Sequence, residues 1–167
     1  MSVAALIVAA GRGSRAGDGI PKQYRLLHGK PVLTRTLETF LAHGSIEAAL
    51  VVIHPDDQEF YETSLKALPA VLRPKLLARV QGGETRQDSV RNGLEALAAS
   101  SPDIVLIHDA ARPFATASLI ERAVKAAERW NAAVPGTPVT DTIKVIGEHL
   151  EVISTPDRAS LRAVQTP

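Results

Sequence analysis

Cysteine is missing from all 167 residues, which excludes disulfides, zinc–thiolate sites and a thiol nucleophile. A reducing compartment, most simply the cytoplasm, is the expected setting. An excess of one charge is missing as well: 19 basic residues against 18 acidic ones leave a formal charge of +1. With no bulk attraction to a polyanion, a small ligand is expected as the partner, and neither nucleic acid nor an acidic membrane surface is. Nor is there a long apolar run. The stretch from Val3 to Ala10 is too short to cross a bilayer, and it lacks the basic lead-in and the length of a signal peptide. The five histidines show no metal-ligand spacing, and Ser14, Ser89 and Ser118 have no identifiable histidine and acid partners. A zinc centre and a hydrolase triad are therefore unsupported. Internal repeats and low-complexity tracts are absent too.

The rest of the composition describes a chain that folds. Hydrophobic residues make up 45% and charged residues 22%, the ordinary globular range, and the length suits one core, so a single domain over 1–167 is expected. Short, nearly continuous apolar runs at 3–8, 49–53, 76–80 and 104–108 are expected to be strands buried on both faces, as in a parallel sheet. Helical patterns lie between them. Pro31 suits a first-turn position ahead of Val32, Leu33, Leu37, Phe40 and Leu41, with Gly44 closing the segment. Asp56 or Asp57 suits the N-cap of a helix running through Phe60, Leu65 and Leu68 to a break at Pro69. A third helix follows Gly82-Gly83 with Val90, Leu94, Leu97 and Ala98 on one face. A fourth starts near Thr116, and its stripe of Leu119, Ala123, Ala127 and Trp130 is assigned to the core. The alternation predicts a doubly wound α/β fold with a mostly parallel sheet.

After Pro135-Gly136-Thr137-Pro138 the texture changes to two strands, 142–146 and 150–153, around Gly147-Glu148-His149. They predict a projecting β-hairpin arm within 137–160. An isolated hairpin is marginal in water, so the arm is expected to pack on another subunit or on further polypeptide.

In open α/β sheets, ligands gather beyond the carboxyl ends of the strands. There the first strand runs into Gly11-Arg12-Gly13-Ser14-Arg15-Ala16-Gly17, with Pro21-Lys22-Gln23-Tyr24 close behind. Glycines let the backbone turn sharply and bring N–H groups to anionic oxygens, and Arg15 and Lys22 carry the charge that a triphosphate demands. The spacing G-x-G-x-x-x-G fits neither the dinucleotide fingerprint nor the P-loop, and the glycines alone describe a plain strand-to-helix turn equally well. A lysine tethered behind Pro21 tips the reading towards phosphate. The segment Gly82-Gly83-Glu84-Thr85-Arg86-Gln87-Asp88-Ser89-Val90 reads, taken alone, as a helix start capped by Thr85 or Asp88. In His108-Asp109-Ala110-Ala111-Arg112-Pro113, a strand ends on a carboxylate. Asp109 suits a magnesium ion carried by phosphates, which takes only one or two protein carboxylates, and it suits an ion pair with Arg112 equally well.

Taken in order, Ala9-Ala10-Gly11-x-Gly13-x-Arg15-x-Gly17, Pro21-Lys22-Gln23-Tyr24, Gly82-Gly83-x-x-Arg86-x-Asp88-Ser89-Val90, His108-Asp109-Ala110-Ala111-Arg112-Pro113 and Asp141-Thr142-x-Lys144 closely resemble the 2-C-methyl-D-erythritol 4-phosphate cytidylyltransferases. The resemblance extends over nearly the whole chain. It implies a Rossmann-like nucleotidyltransferase that moves CMP from CTP onto methylerythritol phosphate, releasing pyrophosphate, in non-mevalonate isoprenoid synthesis. Arg15 and Lys22 are implied as catalytic, and Ala9, Ala10, Gly11, Gly13, Gly83, Glu84 and Ser89 as contacts to CTP. Asp109 is implied as the Mg2+ position, and Thr142, Arg158 and Thr166 as contacts to methylerythritol phosphate. The arm over 137–160 is implied to build a homodimer and to complete the neighbouring site. Because family members continue past the stretch that ends here at Gln165-Thr166-Pro167, some into a cyclodiphosphate synthase domain, a C-terminally shortened chain is expected.

Overall fold

Strand β1 (Val3–Ala9) is apolar at every position and sits inside a parallel four-stranded sheet, where both faces of a strand are covered. The structure, a computed structural model, describes residues 1–12 and 19–165. Along the chain follow β2 (Leu26–Leu27) and β3 (Lys30–Pro31), which pair with each other, then helix α1 (Val32–Leu41), strand β4 (Ala48–Ile53) and helix α2 (Gln58–Lys66). Strand β5 (Val80–Gln81), helix α3 (Arg86–Leu97), strand β6 (Ile104–Asp109) and helix α4 (Ala117–Trp130) complete the central body. The sheet order is β5-β4-β1-β6. Val3, Ala5, Ile7 and Ala9 face one core layer, with Leu33, Leu37 and Phe40 of α1 and Ile120 and Val124 of α4. Ala4 and Leu6 face the other, with Leu97 of α3. Helices therefore cover both faces, as the doubly wound pattern requires. Helix α3 lies close against the sheet because position 93 is glycine: a Cβ there would fall 2.4 Å from Leu6 Cδ1 and 2.9 Å from Val52 Cγ2.

Several local expectations are corrected. The run 76–80 is not one strand: Ala49 lies opposite Leu76 while Val52 lies opposite Val80, so one extra residue intervenes and only Val80–Gln81 is regular. Such a one-residue slip breaks a ladder in the manner of a β-bulge. Pro31 occupies the N-cap position just outside α1, and α1 ends at Leu41, ahead of Gly44. Asp57 takes the N-cap position of α2, as expected, but its side chain makes no capping hydrogen bond; His54 accepts the Asp56 N–H at 3.2 Å and caps the short turn Pro55–Asp57. In α3 the inward residues are Ser89, Gly93 and Leu97, whereas Leu94 is exposed.

Trp130 is not core. It is 66% exposed, with the Arg129 guanidinium 4.8 Å over its ring, because α4 turns Ile120 and Val124 inward, one residue past each of Leu119 and Ala123. The cap expected for α3 does form, Thr85 and Asp88 satisfying each other's backbone N–H groups, and α4 starts as expected just past Thr116, whose hydroxyl accepts from Leu119 N–H.

Beyond α4, β7 (Thr137–Pro138) pairs antiparallel with β10 (Arg162–Ala163), and β8 (Val145–Ile146) with β9 (Val152–Ser154). The hairpin is shorter than its apolar pattern because Leu150, at φ +65°, belongs to the turn. All four of these strands are exposed. Among the described residues no helix is long and apolar enough to cross a membrane.

Candidate active site

At the carboxyl ends of β1, β4 and β6, Ala9, Ala10, Gly11, Lys22, Gly83, Glu84, Ser89 and Asp109 line one cleft of about 640 Å³. Its position is the one the parallel topology favours for a ligand. Gly13, Arg15 and Thr166, also expected at the site, lie outside the described residues. Thr142 and Arg158 sit on the arm, where Arg158 donates to the Thr140 carbonyl at 3.0 Å, and neither lines this cleft.

Gln23 holds the start of the glycine turn, a role its sequence position did not reveal. Its side chain is buried, and its amide donates to the carbonyls of Ala9 at 2.7 Å and Gly11 at 3.2 Å. The adjacent Lys22 is thereby delivered to the cleft. Tyr24 continues the anchor, buried and stacked on Phe60 with centroids 5.4 Å apart. Burial, with the charge of Asp57 nearby, pushes its phenol well above the ordinary value. Gln23→Glu turns the amide donor into an acceptor facing two carbonyls. It should destabilise the fold by about 1–3 kcal/mol, read as a lower urea midpoint with an unchanged slope.

Also at the cleft, the Ser89 hydroxyl donates to the Thr85 carbonyl at 3.0 Å and accepts from the Gly83 N–H at 3.1 Å. Ser89 thus braces the diglycine turn from within the helix start.

Asp109 realises the ion-pair alternative, and more fully than the sequence suggested. Arg86 reaches its Oδ1 at 3.0 Å and Arg112 Nε its Oδ2 at 3.0 Å. Arg112 in turn donates to the Gln165 carbonyl at 3.0 Å. Each carboxylate oxygen still has a lone pair to offer, and the side chain opens on the cleft. Among the described residues no three histidines, cysteines or acids cluster. That donor set suits a magnesium ion borne on phosphates rather than an all-protein cage.

Among the described residues four lysine and arginine side chains line the cleft, and their pairing separates them. Arg12, Arg86 and Arg112 are each tied to a carboxylate, whereas among the described residues Lys22 has none. Among the described residues Lys22 is the cleft cation that remains available to an anion.

His108 is held beneath the same edge by Phe40, 4.7 Å away, and its Nε2 donates to the Arg112 carbonyl at 2.8 Å. Burial lowers its pKa. An imidazole kept neutral by the fold lets the unfolded chain bind the extra proton, so stability should fall as pH drops below about 6.5. Denaturant titrations at pH 7.5 and 5 should show that loss, and His108→Gln should reduce it.

A parallel sheet with a cleft at its carboxyl edge, lined by the turns at Ala10–Gly11 and Gly83–Glu84, by Asp109 and by a lysine with no carboxylate partner among the described residues, defines an α/β protein with an anion-suited ligand site. The comparisons narrow that class. The family model for IspD, 2-C-methyl-D-erythritol 4-phosphate cytidylyltransferase, matches residues 3–167, and the chain belongs to this family. Two curated relatives, each named "Bifunctional enzyme IspD/IspF" and both from Rhodopseudomonas palustris, are 54% (strain BisB18) and 56% (strain ATCC BAA-98 / CGA009) identical over 164 residues. These matches cover 98% of this chain and 40% of each relative, so the chain spans about two fifths of their length.

Among solved structures, 4-diphosphocytidyl-2C-methyl-D-erythritol synthase from Anaerococcus prevotii superposes with a TM-score of 0.79 at 31% identity. That match covers 99% of this chain and 68% of that one. The 2-C-methyl-D-erythritol 4-phosphate cytidylyltransferase from Thermus thermophilus gives a TM-score of 0.65 at 37% identity, covering 100% and 69%.

Proposed function

We propose that this chain carries the site that transfers CMP from CTP to 2-C-methyl-D-erythritol 4-phosphate, a step of isoprenoid synthesis, in the cytoplasm, where nucleoside triphosphates are made. The observation that carries the reading is Lys22, the cleft cation with no carboxylate partner among the described residues, which lines one cleft together with Ala10, Gly11, Gly83 and Ser89. An oxygen of the 4-phosphate attacks the α-phosphorus of CTP as the bond to the β-phosphate breaks, and pyrophosphate leaves with the electron pair. Charge builds on the equatorial and leaving oxygens, so catalysis rests on alignment and neutralisation.

Lys22 and Arg15 supply positive charge, and the backbone N–H groups around Ala10, Gly11 and Gly13 hold phosphate. The cytosine edge is read by backbone groups of Ala10, Gly83 and Glu84 at a turn that Ser89 keeps in place. Asp109 would hold Mg2+, which when bound screens the phosphate oxygens.

The arm supports a homodimer. Val145, Ile146, Val152 and Ile153 are all exposed on it, and a lone hairpin needs a surface to pack on. Across that interface Thr142 and Arg158 would reach the partner's methylerythritol phosphate, with Thr166 joining within the chain. The test is pyrophosphate release from CTP and methylerythritol phosphate with magnesium, alongside sedimentation of the chain. Release that requires both substrates, from a dimer, is expected. CTP binding without product would make the chain a nucleotide-binding module, and release with UTP, GTP or ATP in preference would overturn the cytidine assignment.

A further inference from the structure

Arg12 lies in the cleft, yet its guanidinium is already occupied. One Nη2 contact is to Asp56 Oδ2 at 2.8 Å and another to His54 Nδ1 at 2.7 Å, while Nη1 stands 3.4 Å from Asp57 Oδ1. Arginine only donates, so His54 Nδ1 is an unprotonated acceptor here. The Asp57 side chain is fully buried, and neither of its oxygens accepts a hydrogen bond. It faces Arg12, His54, Asp56 and the phenol of Tyr24, whose hydroxyl is also buried without a partner. A buried carboxylate with one compensating cation holds that cation firmly, because separation would leave an uncompensated charge in the interior. Arg12 directly follows Gly11, whose carbonyl Gln23 holds from the other side.

We propose that Arg12 is a positioning residue: pinned by Asp57, Asp56 and His54 at the end of β4, it fixes the backbone of residues 10–12 so that their N–H groups meet phosphate oxygens. The inference rests on the nucleotide reading above, and its mechanism differs in sign from plain electrostatics. Removing a negative charge beside an anion site tightens anion binding when charge alone acts. If the clamp acts, removing the same charge frees Arg12 and weakens binding.

The experiment is calorimetric titration of the chain with CTP and magnesium, with steady-state kinetics in parallel. Asp57→Asn should weaken CTP about tenfold and Asp56→Asn about threefold, with KM rising and kcat nearly unchanged. Arg12→Lys should lose as much affinity as Arg12→Gln, because an ammonium cannot reproduce the fork that bonds Asp56 and His54 while pairing with buried Asp57. Unchanged or tighter binding in the two Asn variants, or full affinity in Arg12→Lys, would overturn the proposal. Should Asp57→Asn fail to fold, Asp56→Asn decides, since that side chain is 75% exposed. Inorganic tripolyphosphate is the second probe. A wild-type chain that binds it but not CTP sinks the cytidine reading and leaves the sign test in force, and one that binds neither sinks both.

Discussion

Lys22→Ala should lower turnover by about 10²–10³-fold while weakening CTP binding less than about fivefold. The asymmetry follows from when the charge is needed. In the proposed reaction, backbone N–H groups and a magnesium ion would screen the triphosphate in the ground state, whereas the charge on the leaving and equatorial oxygens builds up only during transfer. Lys22 is suited to that moment: Gln23, buried and bonded to the Ala9 and Gly11 carbonyls, fixes its neighbouring backbone, and no carboxylate among the described residues competes for its ammonium. Arg86 and Arg112 cannot substitute without leaving Asp109. Single-turnover rates with saturating CTP, set beside calorimetric affinities, measure the two effects separately. Equal losses in both would mean that Lys22 only binds.

Gly82→Ala should cut kcat/KM by more than about 100-fold and cost about 1–3 kcal/mol of stability, the usual penalty for overfilling a packed site. A Cβ at this position would fall 2.4 Å from Ala10 Cβ and 2.8 Å from Ser89 Oγ, closer than real Cβ contacts allow. Retreat is blocked on each side. Gly82 N–H is bonded to the Ile53 carbonyl at 2.8 Å, Ala10 directly follows β1, and Ser89 is bonded to Thr85 and Gly83. The displacement therefore falls on the turns at Ala10–Gly11 and Gly82–Gly83, which both reach the cleft. Gly44→Ala is the matched control, because a Cβ there meets nothing within 4 Å. Circular dichroism separates a distorted cleft from an unfolded chain, and wild-type activity in Gly82→Ala would show that the turns can move apart freely.

The amino-acid sequence by itself determined the parallel core and the address of the site. β1 and β4 were legible because a strand buried on both faces must be apolar throughout; the run at 104–108 also forms a strand, but β6 is a sheet edge, half-buried with Ile107 exposed, so its burial on both faces was not borne out. The carboxyl ends of these strands marked where the candidate site lies. The cap at Thr85 was legible because a helix start satisfies its N–H groups from side chains a few residues away, and so was the start of α4 near Thr116. Partners distant in sequence were not legible. The packing of β4 beside β1 brings Arg12 to His54, Asp56 and Asp57, and that of β6 beside β1 brings Asp109 to the cleft that Arg86 shares. The same limit misplaced Trp130, since a helical stripe specifies a spacing but not which way the helix is rotated against its sheet. Which cation stays free for a phosphate is likewise a property of the assembled cleft. Lys22 and Arg12 carry the same charge ten residues apart, and only the fold hands Arg12 its carboxylates and leaves Lys22 without one among the described residues.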